Sequence, residues 1–246
     1  ELYYLPIHAL GRATADGSMS FLIEQKRFAY LASADLLNAV APATTKRTQS
    51  SHPLLALGNP DGSLPAASDE VTSLGKLFAN SNVATGKDAT VARVAQSSTG
   101  TDYVHFATHG FINSLEPKES HLLLAGDPGR LSVKDIVEDN YKLSFDGTRV
   151  VTLSACETNL GGFDPSAVYS SLSRAFAKAA APTVIASLWS VNDVSTKETM
   201  QAFYKELAVG QSKAESLRRA QLAVMRDPRF AHPYFWAPFV VLGDWR

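Results

Sequence analysis

The two residues best suited to carry out a reaction are His109 and Cys156, the single cysteine of the chain. Each follows an apolar run typical of a buried strand, residues 103–107 before the histidine and residues 149–153 before the cysteine. A cysteine attacks a carbonyl as its thiolate, but a free thiol with a pKa of about 8.5 is largely protonated at neutral pH. A neighbouring histidine corrects this by accepting the thiol proton and later returning it to the leaving amine. The pattern therefore predicts a His–Cys dyad that cleaves peptide bonds.

A dyad of this kind also needs hydrogen-bond donors for the oxyanion that forms during attack. Gly110 directly follows His109 and has no Cβ, so its backbone can approach a substrate closely. The backbone amides of Gly110 and Cys156 are the candidate donors.

Each residue of the pair also has an ordinary structural interpretation. A lone cysteine at the end of a strand is most often a small buried apolar side chain, and a lone histidine is usually structural as well. Residue types and positions alone leave the catalytic and the structural interpretations balanced.

A metal site is the sharper alternative, because His105 and His109 have the spacing of two ligands on a helix. On a strand, four residues at about 3.3 Å each span roughly 13 Å, too far for one ion held at about 2.1 Å per nitrogen. Since residues 103–107 are predicted to form a strand, His105 is expected in the core or on a sheet face. We expect neither a metal nor a cofactor, and the segment 59–62 is interpreted as an ordinary turn.

The elements around the dyad predict an α/β fold. Apolar strand-like runs alternate with amphipathic helices, which indicates a mostly parallel central sheet flanked by helices on both faces. Reactive residues in such sheets lie just beyond the carboxyl ends of strands, where His109 and Cys156 both fall. Besides the two central strands, we predict strands at 53–58, 183–188 and 235–242 and helices at 69–78, 167–180, 195–207 and 213–225.

The composition excludes several functions. The 246 residues carry a formal net charge of -1, which disfavours nucleic acid or an anionic membrane surface as a partner. No stretch approaches the roughly 20 apolar residues of a membrane span. A single cysteine rules out an internal disulfide and suits a reducing compartment, so a cytoplasmic location is expected.

The domain organisation is expected to be simple. We predict one domain over residues 1–246, with residues 1–95 forming the N-terminal half of the sheet and residues 96–246 the half that carries the dyad. The chain opens inside an apolar run without an initiator methionine, so we expect it to be a fragment of a longer multidomain protein.

The segments around the dyad resemble the CHAT domain, a caspase-like and separase-like family of cysteine peptidases in clan CD. The sequences His-Phe-Ala-Thr-His-Gly at 105–110 and Leu-Ser-Ala-Cys-Glu-Thr at 153–158 are similar to its two hallmark motifs. Further similar segments follow in order along the chain, at 5–10, 89–90, 173–176, 184–189, 193 and 232–237. The segment 161–168 departs from the Glu-Gly pattern that the family commonly has after the cysteine.

The resemblance implies a three-layer caspase-like fold, with His109 as general base and Cys156 as nucleophile. It also implies a protein substrate and control by a regulatory or sensor domain, in particular tetratricopeptide repeats, in the same chain or a partner chain. Relatives in the clan that select basic P1 residues use acidic side chains, which makes Asp193, Glu157 and Asp164 candidates for the S1 pocket. Asp193 is equally well explained as the N-cap or a first-turn residue of the next helix.

Two other functions remain as alternatives. The first is a caspase-like interaction scaffold in which the dyad is silent. The second is hydrolysis of a small molecule, which would need an enclosed pocket rather than an open groove.

Overall fold

The computed structural model describes residues 5–31, 53–113, 115–154 and 165–246. Within these residues the strands, numbered in chain order, are β1 (Gly11–Ala13), β2 (Met19–Phe21), β3 (Leu54–Gly58), β4 (Asn82–Thr85), β5 (Tyr103–Ala107), β6 (Gly110–Phe111), β7 (His121–Leu123), β8 (Arg130–Ser132), β9 (Val150–Leu153), β10 (Thr183–Ser187) and β11 (Phe239–Gly243). The α-helices are α1 (Leu22–Gln25), α2 (Pro65–Gly75), α3 (Val91–Ser97), α4 (Val133–Val137), α5 (Pro165–Lys178), α6 (Asp193–Ala208), α7 (Lys213–Met225) and α8 (Pro233–Trp236).

The central sheet has six strands in the order β11-β10-β9-β5-β3-β4 among the described residues. Neighbouring strands run parallel from β4 to β10, and only β11 at one edge runs antiparallel to its neighbour. Strands β3 and β4 lie within residues 1–95, and the other four lie within 96–246. The predicted α/β fold with a mostly parallel sheet is therefore confirmed, and the carboxyl ends of the parallel strands meet at one edge.

Strand β5 shows why the strand sequences are continuously apolar. Val104 and Phe106 pack into the core on one face of the sheet, whereas Tyr103 and Ala107 pack into the core on the other. Successive side chains of a strand point to opposite faces. A strand with helices on both faces must therefore be apolar at nearly every position.

Helix α6 covers one face of the sheet with a regular apolar stripe. Its buried residues Met200, Phe203, Tyr204 and Leu207 follow the i, i+3, i+4, i+7 spacing of one helix face. Burial of each large apolar side chain contributes about 1.5–3 kcal/mol. In the described part of the chain, no helix has the length and apolarity that a membrane span requires.

The two largest differences from the predicted element starts occur at prolines. The helix predicted at 69–78 begins at Pro65. The fixed φ of proline suits the first helical position, and its missing N–H costs no hydrogen bond because the first N–H groups of a helix have no acceptor within the helix. The strand predicted at 235–242 begins only at Phe239, because Pro233 starts the short helix α8 across its first residues. That part of the strand prediction was wrong.

A separate antiparallel sheet, β6-β7-β8, follows His109 directly. One face of it packs onto the core through Leu122 and Leu131, which are fully buried. The short hairpin β1-β2 and helix α1 form another layer, which packs through Ile23 against Trp236 of α8.

Candidate active site

His109 lies at the carboxyl edge of the central sheet, two residues after β5 ends. Strand β5 pairs in parallel with β9, and Phe106 is in register with Leu153. The pairing continues one step further, because the Ser154 amide donates to the Phe106 carbonyl over 2.8 Å. His109 follows Phe106 by three residues, and Cys156 follows Leu153 by the same number. Cys156 itself lies outside the described residues.

The backbone around His109 is hydrogen-bonded to Leu123, the last residue of β7. The Leu123 amide donates to the His109 carbonyl over 2.9 Å, and the Thr108 hydroxyl donates to the Leu123 carbonyl over 2.8 Å. Gly110 is buried and pairs with Leu122 as the first residue of β6. These bonds fix the position of the His–Gly pair relative to the sheet.

The His109 ring contacts a serine that the sequence did not reveal. Its Nε2 atom lies 2.6 Å from Ser63 Oγ, and Ser63 Oγ in turn donates to Asp61 Oδ1 over 2.7 Å. A hydroxyl has one proton, and Ser63 uses its proton on the carboxylate. Ser63 must therefore accept from His109 Nε2–H, and this tautomer makes Nδ1 the basic nitrogen of the ring.

The Asp61 carboxylate is ionised under ordinary conditions. Desolvation raises the pKa of Asp61, but hydrogen bonds from the Ser63 hydroxyl and amide outweigh it and contribute to a pKa below its usual range. An ionised carboxylate accepts hydrogen bonds only. Asp61 therefore holds the Ser63 hydroxyl in the one orientation that accepts from the histidine.

Asn59 builds the loop that carries Ser63. It has a positive φ of 50°, a conformation that asparagine tolerates better than most residues. Its side-chain oxygen accepts from the Leu64 amide over 2.7 Å, and its side-chain nitrogen donates to Ser68 over 3.0 Å. Its own amide donates to the Ala107 carbonyl over 3.0 Å. The loop is thus fastened to the end of β5, and its interpretation as an ordinary turn missed this contact.

His105 takes no part in this edge and occupies the core, as predicted. Its Nε2 atom lies 2.7 Å from Glu70 Oε1, and its Nδ1 atom lies 3.3 Å from the Tyr204 hydroxyl. Thr152 Oγ1 lies 2.9 Å from the same hydroxyl. Burial raises the pKa of Tyr204 well above its usual value, although the Thr152 contact works in the opposite direction. The tyrosine is therefore a neutral member of a buried network.

The S1 candidates lie in different parts of the chain. Asp193 is exposed and is the first residue of α6, which starts just beyond the carboxyl end of β10. The N-cap of that helix is Asn192, whose side chain accepts from the amides of Val194 and Ser195. Asp193 therefore occupies the first turn, where the helix dipole favours a carboxylate. Glu157 and Asp164 lie outside the described residues.

Comparison with solved structures identifies the fold. The Arg-specific cysteine proteinase gingipain R matches with a TM-score of 0.53 and 10% identity, over 78% of this chain and 46% of that chain. Separase of Saccharomyces cerevisiae, in its complex with securin, matches with a TM-score of 0.57 and 12% identity, over 85% of this chain and 13% of that chain. The expected caspase-like fold of the clan CD peptidases is confirmed.

Comparison of sequences identifies the family. Tetratricopeptide repeat protein 28 of Mus musculus is 27% identical over 99% of this chain and 12% of the relative. The Homo sapiens protein of the same name is 27% identical over 74% of this chain and 8% of the relative. The chain thus spans a small part of these relatives. The CHAT domain family profile matches residues 1–244, and the chain belongs to the CHAT domain family.

Proposed function

We propose that this CHAT domain is a cysteine endopeptidase that cleaves a protein partner with His109 and Cys156 as its dyad. The observation that carries the proposal is the register of β5 and β9, in which Phe106 pairs with Leu153. Neighbouring strands lie about 4.8 Å apart. His109 is the third residue after Phe106, and Cys156 is the third residue after Leu153. Because these two strand residues are in register, we expect His109 and Cys156 at the same edge of the sheet. Membership of the CHAT family supports the same assignment.

The first half of the reaction transfers the acyl group to the enzyme. His109 Nδ1 accepts the thiol proton of Cys156, and the sulfur forms a bond to the scissile carbonyl carbon. The carbonyl π electrons move onto oxygen, where the amides of Gly110 and Cys156 donate hydrogen bonds. The carbon–nitrogen bond then breaks, and the leaving amine takes the proton from Nδ1.

The second half of the reaction releases the acyl group. A water molecule gives a proton to His109 Nδ1 and attacks the thioester carbonyl. The carbon–sulfur bond breaks, and Cys156 leaves as a thiolate beside the protonated histidine. Ser63 and Asp61 act throughout as positioning residues, because they keep the other ring nitrogen protonated and hold the ring in place.

The substrate is proposed to carry a basic residue at P1. Asp193 is an exposed carboxylate beyond the end of β10, at the edge to which β5 and β9 also lead. A carboxylate there supplies the charge that Lys or Arg needs. Glu157 and Asp164, on the segment after the nucleophile, are further candidates for the same role.

Control of the activity is proposed to come from another domain. The mouse and human relatives are named for tetratricopeptide repeats, and this chain aligns with a small part of each. Repeats of this kind present extended surfaces for protein partners. A repeat domain in the same or a partner chain would deliver the substrate or release the activity.

The proposal is tested with full-length protein and a peptide library prepared from a proteome. New amino termini are labelled and sequenced by mass spectrometry, and the residues before them give the P1 preference. We expect cleavage after Lys or Arg, with C156A at background and H109A reduced more than about a hundredfold.

Alkylation of Cys156 by iodoacetamide, followed by peptide mapping, provides a readout that needs no substrate. The thiolate is the reacting species, so H109A should slow this alkylation. If wild type and C156A give the same cleavage products and H109A leaves the alkylation rate unchanged, the dyad is wrong. The silent interaction scaffold is then the better description.

A further inference from the structure

The small sheet β6-β7-β8 beside His109 has two unlike faces. Leu122 and Leu131 are fully buried against the core. Side chains alternate along a strand, so Phe111, His121 and Leu123 lie on the opposite face, and all three are half-buried. This outer face thus presents two rings and a leucine without full burial.

The catalytic histidine belongs to the same row of side chains. His109 and Phe111 are two residues apart and point to the same side, and their ring centroids are 6.4 Å apart. Phe111 is in register with His121 on β7. These two rings are stacked, with centroids 4.9 Å apart and planes 22° apart. Three rings therefore extend in order from the site of proton transfer.

Peptide cleavage places one part of the substrate at this row. The amine that leaves takes its proton from His109, so its nitrogen must approach the histidine ring to about 3 Å. This nitrogen belongs to the first residue after the scissile bond. From there an aromatic side chain extends on the order of 5 Å, which is enough to reach the Phe111 ring.

We propose that Phe111 and His121, flanked by Leu123, form the binding surface for the side chain of the first residue after the scissile bond. This inference rests on the proposed peptidase function and names a second determinant of its specificity. The occupant is a flat or branched apolar side chain, with aromatic side chains favoured, because aromatic pairs prefer offset-stacked or edge-to-face contacts.

The surface is held by hydrogen bonds, and the charge at its border, on Arg130 in register with Leu123, is compensated by an ion pair. His121 Nδ1 lies 2.9 Å from the Glu119 carbonyl, which can only accept, so Nδ1 carries the proton and the ring is fixed. The Glu119 carboxylate pairs with Arg130 over 3.4 Å. Aromatic faces held in this way offer apolar contact area to a flat side chain.

The first test reads the residue after the scissile bond in full-length protein. Wild type is incubated with the proteome-derived library, and the first residue of each new amino terminus is recorded. We expect enrichment of Phe, Tyr, Trp and Leu. For substrates with an aromatic first residue, F111A should lower kcat/KM by about tenfold or more, in the range of apolar-pocket discrimination. For substrates with Gly at that position, F111A should change kcat/KM by less than about twofold.

Two further variants separate recognition from folding. F111L keeps apolar volume but removes the stacked ring. It should therefore still cleave substrates with Leu as the first residue after the scissile bond and lose the preference for Trp and Tyr there. V209A removes an exposed apolar side chain, 73% accessible, at the far end of α6, and should leave the profile unchanged. Thermal unfolding of each variant shows that it is folded.

The second test does not depend on cleavage. Full-length C156A is labelled on its histidine rings and titrated with phenylalaninamide, with glycinamide as the comparison probe. We expect saturable shifts of the His121 resonance with phenylalaninamide alone, weakened at least about tenfold by F111A.

The outcomes distinguish the inference from the function on which it rests. Cleavage with the same first-residue profile in wild type and F111A overturns the inference and leaves the peptidase intact. Saturable binding of phenylalaninamide without Cys156-dependent cleavage supports the surface and overturns the peptidase. Absence of saturable shifts overturns the surface.

Discussion

At the scale of single residues, the same tripeptide serves two different purposes. Asp-Gly-Ser occurs at 16–18 and at 61–63, with glycine φ angles of 81° and 82°. In both turns the serine amide donates to the aspartate Oδ1 over 3.1 Å. Only Ser63 reaches His109, because only the second turn follows a strand of the central sheet. The local sequence determines the turn, and its place in the sheet gives it a role.

This duplication provides a matched pair of variants for Ser63. S63A removes the acceptor of His109 Nε2–H, so the histidine no longer favours the tautomer with a basic Nδ1. A hydrogen bond worth about 1.5 kcal/mol corresponds to a loss of roughly tenfold in kcat, with KM unchanged. The alkylation rate of Cys156 should fall in parallel.

The same substitution at Ser18 is the control. S18A breaks the equivalent turn contact at a distance from the site and should retain wild-type kcat and alkylation rate. Equal rates in wild type and S63A would show that Ser63 has no positioning role.

Residue pattern alone could identify His109 as a candidate but not Ser63. The histidine was recognisable because it ends an apolar strand run, a feature of nearby sequence. The contact with Ser63 spans 46 positions and depends on β3 lying next to β5 in the sheet. Strand order is a property of the folded topology, and no local spacing reveals it.

At the scale of elements, a buried polar network connects β5 and β9, the strands that precede the proposed dyad residues, to the helices that cover them. Glu70 of α2 and Tyr204 of α6 both contact His105 of β5, and Tyr204 also contacts Thr152 of β9. His105 lies four residues before His109, and Thr152 four residues before Cys156. The network therefore fixes α2 and α6 to the two strands that lead to the site.

Removal of one member should destabilise the whole domain. E70A leaves the buried His105 ring without its hydrogen-bond partner, and we expect a loss of about 1.5–3 kcal/mol in the free energy of unfolding. Y204F keeps the ring and removes the hydroxyl contacts, with an expected loss of about 1–2 kcal/mol. Urea unfolding measures both.

An exposed ion pair supplies the control for this prediction. Glu206 pairs with Arg219 over 2.9 Å on the surface, and E206A should change the free energy of unfolding by less than about 1 kcal/mol. If E70A is no more destabilising than E206A, the network does not hold these elements.

Most elements were predictable because burial on two faces leaves a clear apolar pattern. Helix α7 was predicted with the bounds it has, and β5 likewise, since their apolar residues begin and end with the element. The largest errors in where an element starts fall at Pro65 and Pro233, which begin helices inside segments whose composition indicates otherwise. At these positions backbone geometry outweighs the apolar pattern.

At the scale of the whole molecule, the first described residues pack against the last third of the chain. The Arg218 guanidinium on α7 donates to the carbonyls of Ile23 and Glu24 at distances of 2.7 Å and 2.6 Å. His8 Nε2 lies 3.0 Å from the Ala237 carbonyl, 229 positions away in sequence. These long-range contacts hold residues 5–31 onto the helices next to β11.

The buried His8 should make the stability of this packing depend on pH. Burial lowers the pKa of His8 from 6.5 to about 4, although the hydrogen bond to Ala237 works in the opposite direction. Between these two values the unfolded chain binds a proton that the folded chain does not, so acidification favours unfolding. The contribution of His8 to the free energy of unfolding is fully present above pH 6.5 and is lost as the pH falls to about 4. It amounts to about 3 kcal/mol.

The variant H8Q isolates this contribution from that of the other titrating groups. Glutamine has no proton to gain in this range, and its amide can still donate toward Ala237. Urea unfolding of wild type and H8Q at a series of pH values between 7 and 4 should give two curves that diverge, because wild type loses about 3 kcal/mol more than H8Q on acidification. Parallel curves would mean that His8 is protonated equally well in the folded and unfolded chains, and that its burial between the two ends of the chain does not control their packing.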